Sequence, residues 1–547
     1  MDENPGWLLK RPAADTPLHK STADGDLDLV KQIMNDGEIH VNTRGLNGLT
    51  PLMLAAQNGN YGVFEYLLSV GADMTQIAHD GDHILSKACV GGNMDIVKYV
   101  VLKEHSLINK QRKDGRTALM WAAWHRKKTV FDYLLKEGAD SSLVDVDGYN
   151  MLHYACFGGD TGMVNDAITN TSVDINTSDI YGRTAVMVAA ACGYKDMVDL
   201  LFKKESDLSH IDKTGNNILH VACLGGHVKI VEHILSQEDT DINCRGQYGG
   251  TPLMLAAFDG HREVFDLLVT KGADATLVCN KGNTILHVAC IGGHVDLVKP
   301  ILSQGMVDIN SQRQDGRTPL LLAAFCGHRE VFDLLVRNGA NASVVCNKGN
   351  TILHVACIGG HVEMVEHIMS QGIGDVNSQN QDGRTPLLLA AFGGHREVFD
   401  LLVRNGANAS VVCNKGNTIL HVACIGGHVE MVEHIMSQGI GDVNSQNQDG
   451  RTPLMSAELQ GCGETLLSPG VDLSQMNDKG NNVLHLACET GSMEIVQHVV
   501  SQNSLDINAK NSKGETATRV AKRKHHMDLY EWLVSQGGHV VSKSYKH

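Results

Sequence analysis

Residues 382–418 read DGRTPLLLAAFGGHREVFDLLVRNGANASVVCNKGNT. Asp382-Gly383 is a turn signal, and Thr385-Pro386 sets a helix N-cap before a proline at the first helical position, where its missing N–H removes no bond. A short Leu/Ala-rich helix is predicted from Pro386 to Phe392, stopped by Gly393-Gly394. A second is predicted from about His395 to Arg404, with Val398, Leu401 and Leu402 as its apolar stripe. Asn405-Gly406 ends it, and a stretch of Asn, Ala, Ser and Val leads to the next turn. The local unit is helix, turn, helix, then an extended hairpin-like loop.

The unit recurs. The Thr385 position falls at sixteen places from Thr16 to Thr516, with steps alternating between 34 and 33 residues and one step of 30, from Thr452 to Asn482. Pro17, Pro51, Pro252, Pro319, Pro386 and Pro453, six of the ten prolines, fill the slot after it. Segments 318–384 and 385–451 agree everywhere except Cys326 against Gly393, so the last duplication copied a pair of units. The cysteines Cys89, Cys156, Cys223, Cys290, Cys357 and Cys424 keep the same interval of 67.

Neither helix exceeds about ten residues, which is marginal alone in water. One unit cannot bury its stripe, but stacking on both neighbours can, so the array must be a solenoid with a continuous core. The 547 residues carry 46 Lys plus Arg against 62 Asp plus Glu, a formal charge of −16, which argues against broad phosphate-backbone binding. No window approaches the ~18 apolar residues of a membrane span, and the start lacks a signal pattern. A cytoplasmic protein with nuclear access open is expected, with no direct membrane insertion and no nucleic-acid partner.

Thr16-Pro17-Leu18-His19, the Gly-Gly-His of 359–361 and the Leu-Leu-Val-Arg-Asn-Gly-Ala of 401–407 closely resemble the ankyrin repeat family, over about 15 to 535. The resemblance implies an all-α solenoid with β-hairpin loops, a single elongated curved domain whose concave side commonly binds other proteins. The expected layout is a 1–14 extension, an N-terminal capping repeat at 15–47 and twelve regular repeats over 48–449. A shortened repeat follows at 450–480, with Gly461-Cys462-Gly463 and Pro469 where a second helix should stand. A further repeat spans 481–512, a C-terminal capping repeat 513–540 and a tail 541–547.

Candidate chemistry dissolves into packing. His354 and Cys357 share a helix face at zinc-like spacing, yet Ala257, Ala324 and Ala391 fill the Cys slot in alternate repeats, so a small apolar group suffices there. No phosphate loop or nucleophile elbow occurs, and every motif exists in several copies, unlike a catalytic constellation. No catalytic residue, metal or cofactor is expected. A basic cluster, Arg519, Lys522, Arg523 and Lys524, reads as a solvated capping face, an acidic-ligand site or an import signal.

Seven residues beyond each aligned Thr lies a nearly unbroken apolar ladder: Val90, Trp124, Phe157, Ala191, Leu224, Phe258, Ile291, Phe325, Ile358, Phe392, Ile425 and Leu459. By resemblance this position faces the concave wall. Two placements stay open for it, a groove for a partner or a seal between neighbouring helices that completes the core. In the first, hairpin tips such as Asn347-Lys348 and Gln381-Asp382 form a polar rim, and the near-identical repeats suit a periodic or multivalent protein partner. The expected function is a monomeric, non-catalytic scaffold or signalling adaptor binding a polypeptide along the groove. A structural spacer or membrane-cytoskeleton linker is the alternative. The resemblance further implies hydroxylation of an Asn after Leu, five residues, Asp and an aliphatic residue, a pattern met by Asn243 and Asn310.

Overall fold

Local signals become caps. In a computed structural model that describes residues 14–237, 240–458, 470–502 and 505–539, the Thr385 side chain accepts from Leu388 N–H and starts the helix Pro386–Gly393. Gly394 ends it at φ 72°, its N–H returning to the Ala390 and Ala391 carbonyls. Gly406 holds φ 84° beyond the second helix, Arg396–Arg404. Both positions lie in the left-handed region that a side chain enters only at a cost of about 1–2 kcal/mol.

The pattern repeats through thirty-one α-helices among the described residues. Fifteen of the sixteen expected units show both helices; the second half of the remaining unit, with Leu459, Gly461-Cys462-Gly463 and Pro469, lies outside the described residues. The loops differ from β-hairpins. Each closes on two backbone bonds, as in Cys413 N–H to the Asn417 carbonyl (3.1 Å) and Gly416 N–H to the Cys413 carbonyl (2.8 Å). Among the described residues only isolated antiparallel bridges form, Ser178 with Thr184 and Lys510 with Thr516, because the turns are too tight to extend a ladder.

Contacts gather into two compact units. Unit 1 runs to Ala256 and includes His261–Asp274; unit 2 takes Ala257–Gly260 and runs on from Ala275. Two core patterns occur: first helices bury Leu with Ala-Ala or Ala-Cys, as in Leu387, Ala390 and Ala391 against Leu353, Ala356 and Cys357, and second helices bury Val398, Phe399 and Leu402 in the one kind and Met364, Val365 and Ile368 in the other. Phe64, Phe131 and Phe265 in unit 1 and Phe332 and Phe399 in unit 2 are among the largest fully buried side chains. The predicted stripe Val398, Leu401 and Leu402 is buried, but it omitted Phe399, which is wholly enclosed.

Three polar devices tie repeats together, the tip backbones at successive junctions and the other two at alternate ones. The Asn377 carboxamide accepts from Asn408 N–H (2.7 Å) and donates to the Gly406 carbonyl (3.2 Å). Tip backbones join in series, Asn347 N–H to the Asp315 carbonyl, Gln381 N–H to Lys348 and Asn414 N–H to Asp382, at 2.8–3.0 Å. The third device is histidine. Thr351 gives both its N–H (3.3 Å) and its hydroxyl (2.8 Å) to His354 Nδ1, which leaves Nε2–H to donate to the Arg384 carbonyl in the next repeat (2.9 Å). That wiring requires a neutral ring, and burial pushes the titration of His354 below the usual imidazole range and that of its counterpart His287 down to about 4.

The duplicated pairs fold alike. In unit 2, His367 reaches Asp333 on the preceding repeat at 2.5 Å, and His434 reaches Asp400 at 2.6 Å.

Candidate functional site

Each described ladder residue is the last or next-to-last of its first helix, ahead of a left-handed stop that is glycine except at Arg126 after Trp124, so its side chain leaves the helix where the chain turns away. None of the described ladder side chains is buried. In unit 1, Trp124 is 39% exposed and Leu224 43%, with Val90 and Phe157 half-buried and Ala191 exposed. In unit 2, Phe258 is 44% exposed and Phe392 39%, with Ile291, Phe325, Ile358 and Ile425 half-buried. The core is already filled by the layer beneath, Leu389 and Val422 for example, so nothing draws the ladder inward.

The ladder's backbone is held although its side chains face outward. A helix end leaves orphan carbonyls, and here the histidine that begins the next repeat's second helix supplies the donor. His261 Nε2–H donates to the Leu224 carbonyl (2.9 Å) in unit 1; in unit 2, His294 serves Phe258 (3.0 Å), His328 serves Ile291 (2.9 Å) and His395 serves Ile358 (3.1 Å). The sequence reading took these histidines only as a family mark. A second missed group is the arginine preceding the aligned Thr. Arg317 lies 5.1 Å from the Phe325 ring centroid and Arg384 5.5 Å from that of Phe392, which the eight-residue spacing could have signalled.

Unit 1 elaborates this theme. Arg116 stands 5.6 Å from Trp121, 5.5 Å from Trp124 and 5.6 Å from Tyr154, and Trp121 and Trp124 stack at 5.5 Å. Phe157 meets Tyr149 edge-on at 5.3 Å, while Arg183 covers Tyr149 and Tyr181. The guanidinium groups have carboxylate neighbours: Arg183 pairs with buried Asp179 (2.8 Å), Arg116 lies 3.8 Å from buried Asp145, and Arg112 reaches Asp80, Asp82 and Asp114 at 3.0–3.3 Å. Tyr154 O–H donates to Asp145 at 2.6 Å, and burial pushes the Tyr149 phenol up to about 12.

The rim residues Asn347, Lys348, Gln381 and Asp382 are exposed, and all four lie in the tip-to-tip backbone chain. Asn347 also donates its carboxamide N–H to the Gln314 carbonyl (2.9 Å). Asn243 and Asn310 are half-buried, each side-chain oxygen accepting the N–H of a residue in the next repeat, Asp274 (2.9 Å) and Asn341 (2.8 Å). His354 has both ring nitrogens engaged and Cys357 is wholly buried with its thiol titration pushed up, which removes both as ligands. No cluster of three or more metal-ligating side chains occurs among the described residues. The basic cluster is partly neutralised: Arg523 lies 3.5 Å from Glu515, and Lys524 lies 2.9 Å from Glu489. No described helix is long and apolar enough to cross a membrane.

A family model described as Ankyrin repeats (3 copies) matches residues 3–78, 71–145, 133–212, 205–279, 253–345, 332–412, 395–472 and 459–544. The chain is 27% identical over 455 residues to Transient receptor potential cation channel subfamily A member 1 of Homo sapiens, covering 73% of this chain and 40% of that protein. It is 31% identical over 448 residues to Ankyrin repeat and KH domain-containing protein mask-1 of Caenorhabditis elegans, covering 78% and 16%. To Ankyrin repeat domain-containing protein SAT10 of Stachybotrys chartarum it is 23% identical over 531 residues, covering 90% and 26%. The chain thus spans between 16% and 40% of the length of these relatives.

Proposed function

Because the chain belongs to the ankyrin repeat family, whose repeats serve generally as protein-interaction modules, we propose that it is a non-catalytic scaffold holding a partner polypeptide against the exposed ladder. The observation that carries this reading is a row of outward apolar side chains on a backbone stapled by the neighbouring repeat's histidines. A wall fixed before binding loses little ordering entropy on association, and aromatic anchors such as Trp124 and Phe392 suit a binding hot spot. A spacer would have no use for such a wall, so the ladder supports the scaffold reading over the linker alternative. The repeating sub-sites of unit 2 favour a periodic or multivalent partner.

The test replaces Phe258, Phe325 and Phe392 with Ser and measures partner recovery by pull-down beside circular dichroism. Recovery should drop at least tenfold with helicity intact. Unchanged recovery with an intact fold would sink the proposal. Hydroxylation of Asn243 and Asn310 is a separate proposal, and their side chains already have structural work in the repeat contacts. Peptide masses from both sites with no added oxygen would remove it.

A further inference from the structure

Charge distribution sharpens what the unit 2 wall takes. The chain as a whole is −16, but six successive turns, those before Thr284, Thr318, Thr351, Thr385, Thr418 and Thr452, reverse that sign. They carry Lys281, Lys348 and Lys415 at their tips and Arg313, Arg317, Arg384 and Arg451 at the wall, against only Asp315, Asp382 and Asp449. Asp315 takes Arg313 (2.5 Å) and stands 3.7 Å from Arg317. Lys348, Arg384, Lys415 and Arg451 have no ion partner among the described residues. Unit 1 does the opposite, pairing Arg112, Arg116 and Arg183 with its own carboxylates.

Resting on the groove reading above, we propose that the partner of unit 2 is an extended acidic polypeptide, its carboxylates on Lys348, Arg384, Lys415 and Arg451 and its apolar side chains on the ladder. From the Thr351 repeat to the Thr452 repeat each offers one such cation, Lys348 and Lys415 at the tips alternating with Arg384 and Arg451 at the wall, and Arg384 lies against Phe392. Stacked helices repeat at about 8–10 Å. A polyproline-II chain rises ~3.1 Å per residue with three residues per turn, so one turn matches one repeat and sets one acidic and one apolar side chain toward the protein. Opposite charge also raises the encounter rate, and weakens with salt.

The experiment uses the full chain and fluorescent peptides of about fifteen residues repeating Glu-Leu-Pro, Gln-Leu-Pro or Lys-Leu-Pro. Anisotropy should show the Glu peptide binding at least tenfold tighter than the Gln peptide, with the Lys peptide weakest. Raising salt from about 0.05 to about 0.5 M should erase most of that preference. The triple variant Lys348→Gln, Arg384→Gln, Lys415→Gln should lose about tenfold for the Glu peptide and nothing for the Gln peptide, since these side chains hold no ion pair in the fold. Equal binding of the Glu and Gln peptides, both abolished by Ile358→Ser with Phe392→Ser, would overturn the charge inference while leaving the groove reading standing. No binding by any peptide, tighter binding of a heptad-patterned helical peptide, or tighter binding of a single-stranded oligonucleotide would each overturn the proposal.

Discussion

The two units build the same wall from opposite materials. Unit 1 sets Trp124, Tyr149, Tyr154 and Phe157 among guanidinium groups paired within the unit. Unit 2 repeats Phe or Ile along its ladder, and among the described residues Lys348, Arg384, Lys415 and Arg451 have no ion partner there. An arginine beside an aromatic ring therefore has two meanings. Where a buried carboxylate lies behind it, the arginine is structural; where none does, it is available to a ligand.

The largest effect that would test this common framework comes from the shared core. Phe131→Ala in unit 1 and Phe399→Ala in unit 2 should each cost about 3–5 kcal/mol, because both rings are fully enclosed. Hydrogen exchange should speed up mainly in the unit that carries the change; equal acceleration in both would break the division into units. Acid comes next. Buried His153 and His220 in unit 1 and His287, His354, His421 and His485 in unit 2 titrate below the usual imidazole range because burial penalises their charged form. The unfolded chain then binds protons that the fold does not, so stability is full above about pH 6.5 and falls toward about pH 4, by on the order of 3 kcal/mol for His287 alone. Urea midpoints that stay flat from pH 7 to 4.5 would contradict this wiring.

The arginine contrast itself predicts a smaller, asymmetric effect. Arg116→Gln should destabilise by about 1–3 kcal/mol, since it deprives Asp145 of its nearest cation, whereas Arg384→Gln should change stability by less than about 0.5 kcal/mol. Equal losses in thermal melts would erase the distinction. Smallest is a thiol readout: exposed Cys192 should react with a disulfide reagent in the native state, while buried Cys357 should wait for unfolding.

Helix pairs, caps and repeat phase were legible because Thr-Pro, Gly-Gly and Asn-Gly act within a few residues of themselves. Phe399 escaped because the second helix packs on its own first helix and on neighbouring repeats, so its buried face is wider than a three-residue stripe. Whether the ladder faced outward was not legible, since that depends on how completely Leu389 and its equivalents fill the layer below. The histidine staples were hidden for a related reason: His395 serves a carbonyl 37 residues away, and no local pattern announces that. Net charge also misled by averaging, for −16 says nothing of where seven cations gather.

The equivalence of the duplicated pairs, down to the His367–Asp333 and His434–Asp400 bridges, has a consequence for heredity. Excising residues 385–451 would join Arg384 to Thr452, the same junction that Arg451 makes now. Every remaining repeat would meet a neighbour of the kind it already has. Unequal exchange between copies can therefore lengthen or shorten this array by 67 residues at a time without creating an untried interface, and so adjust how many sub-sites a partner can span.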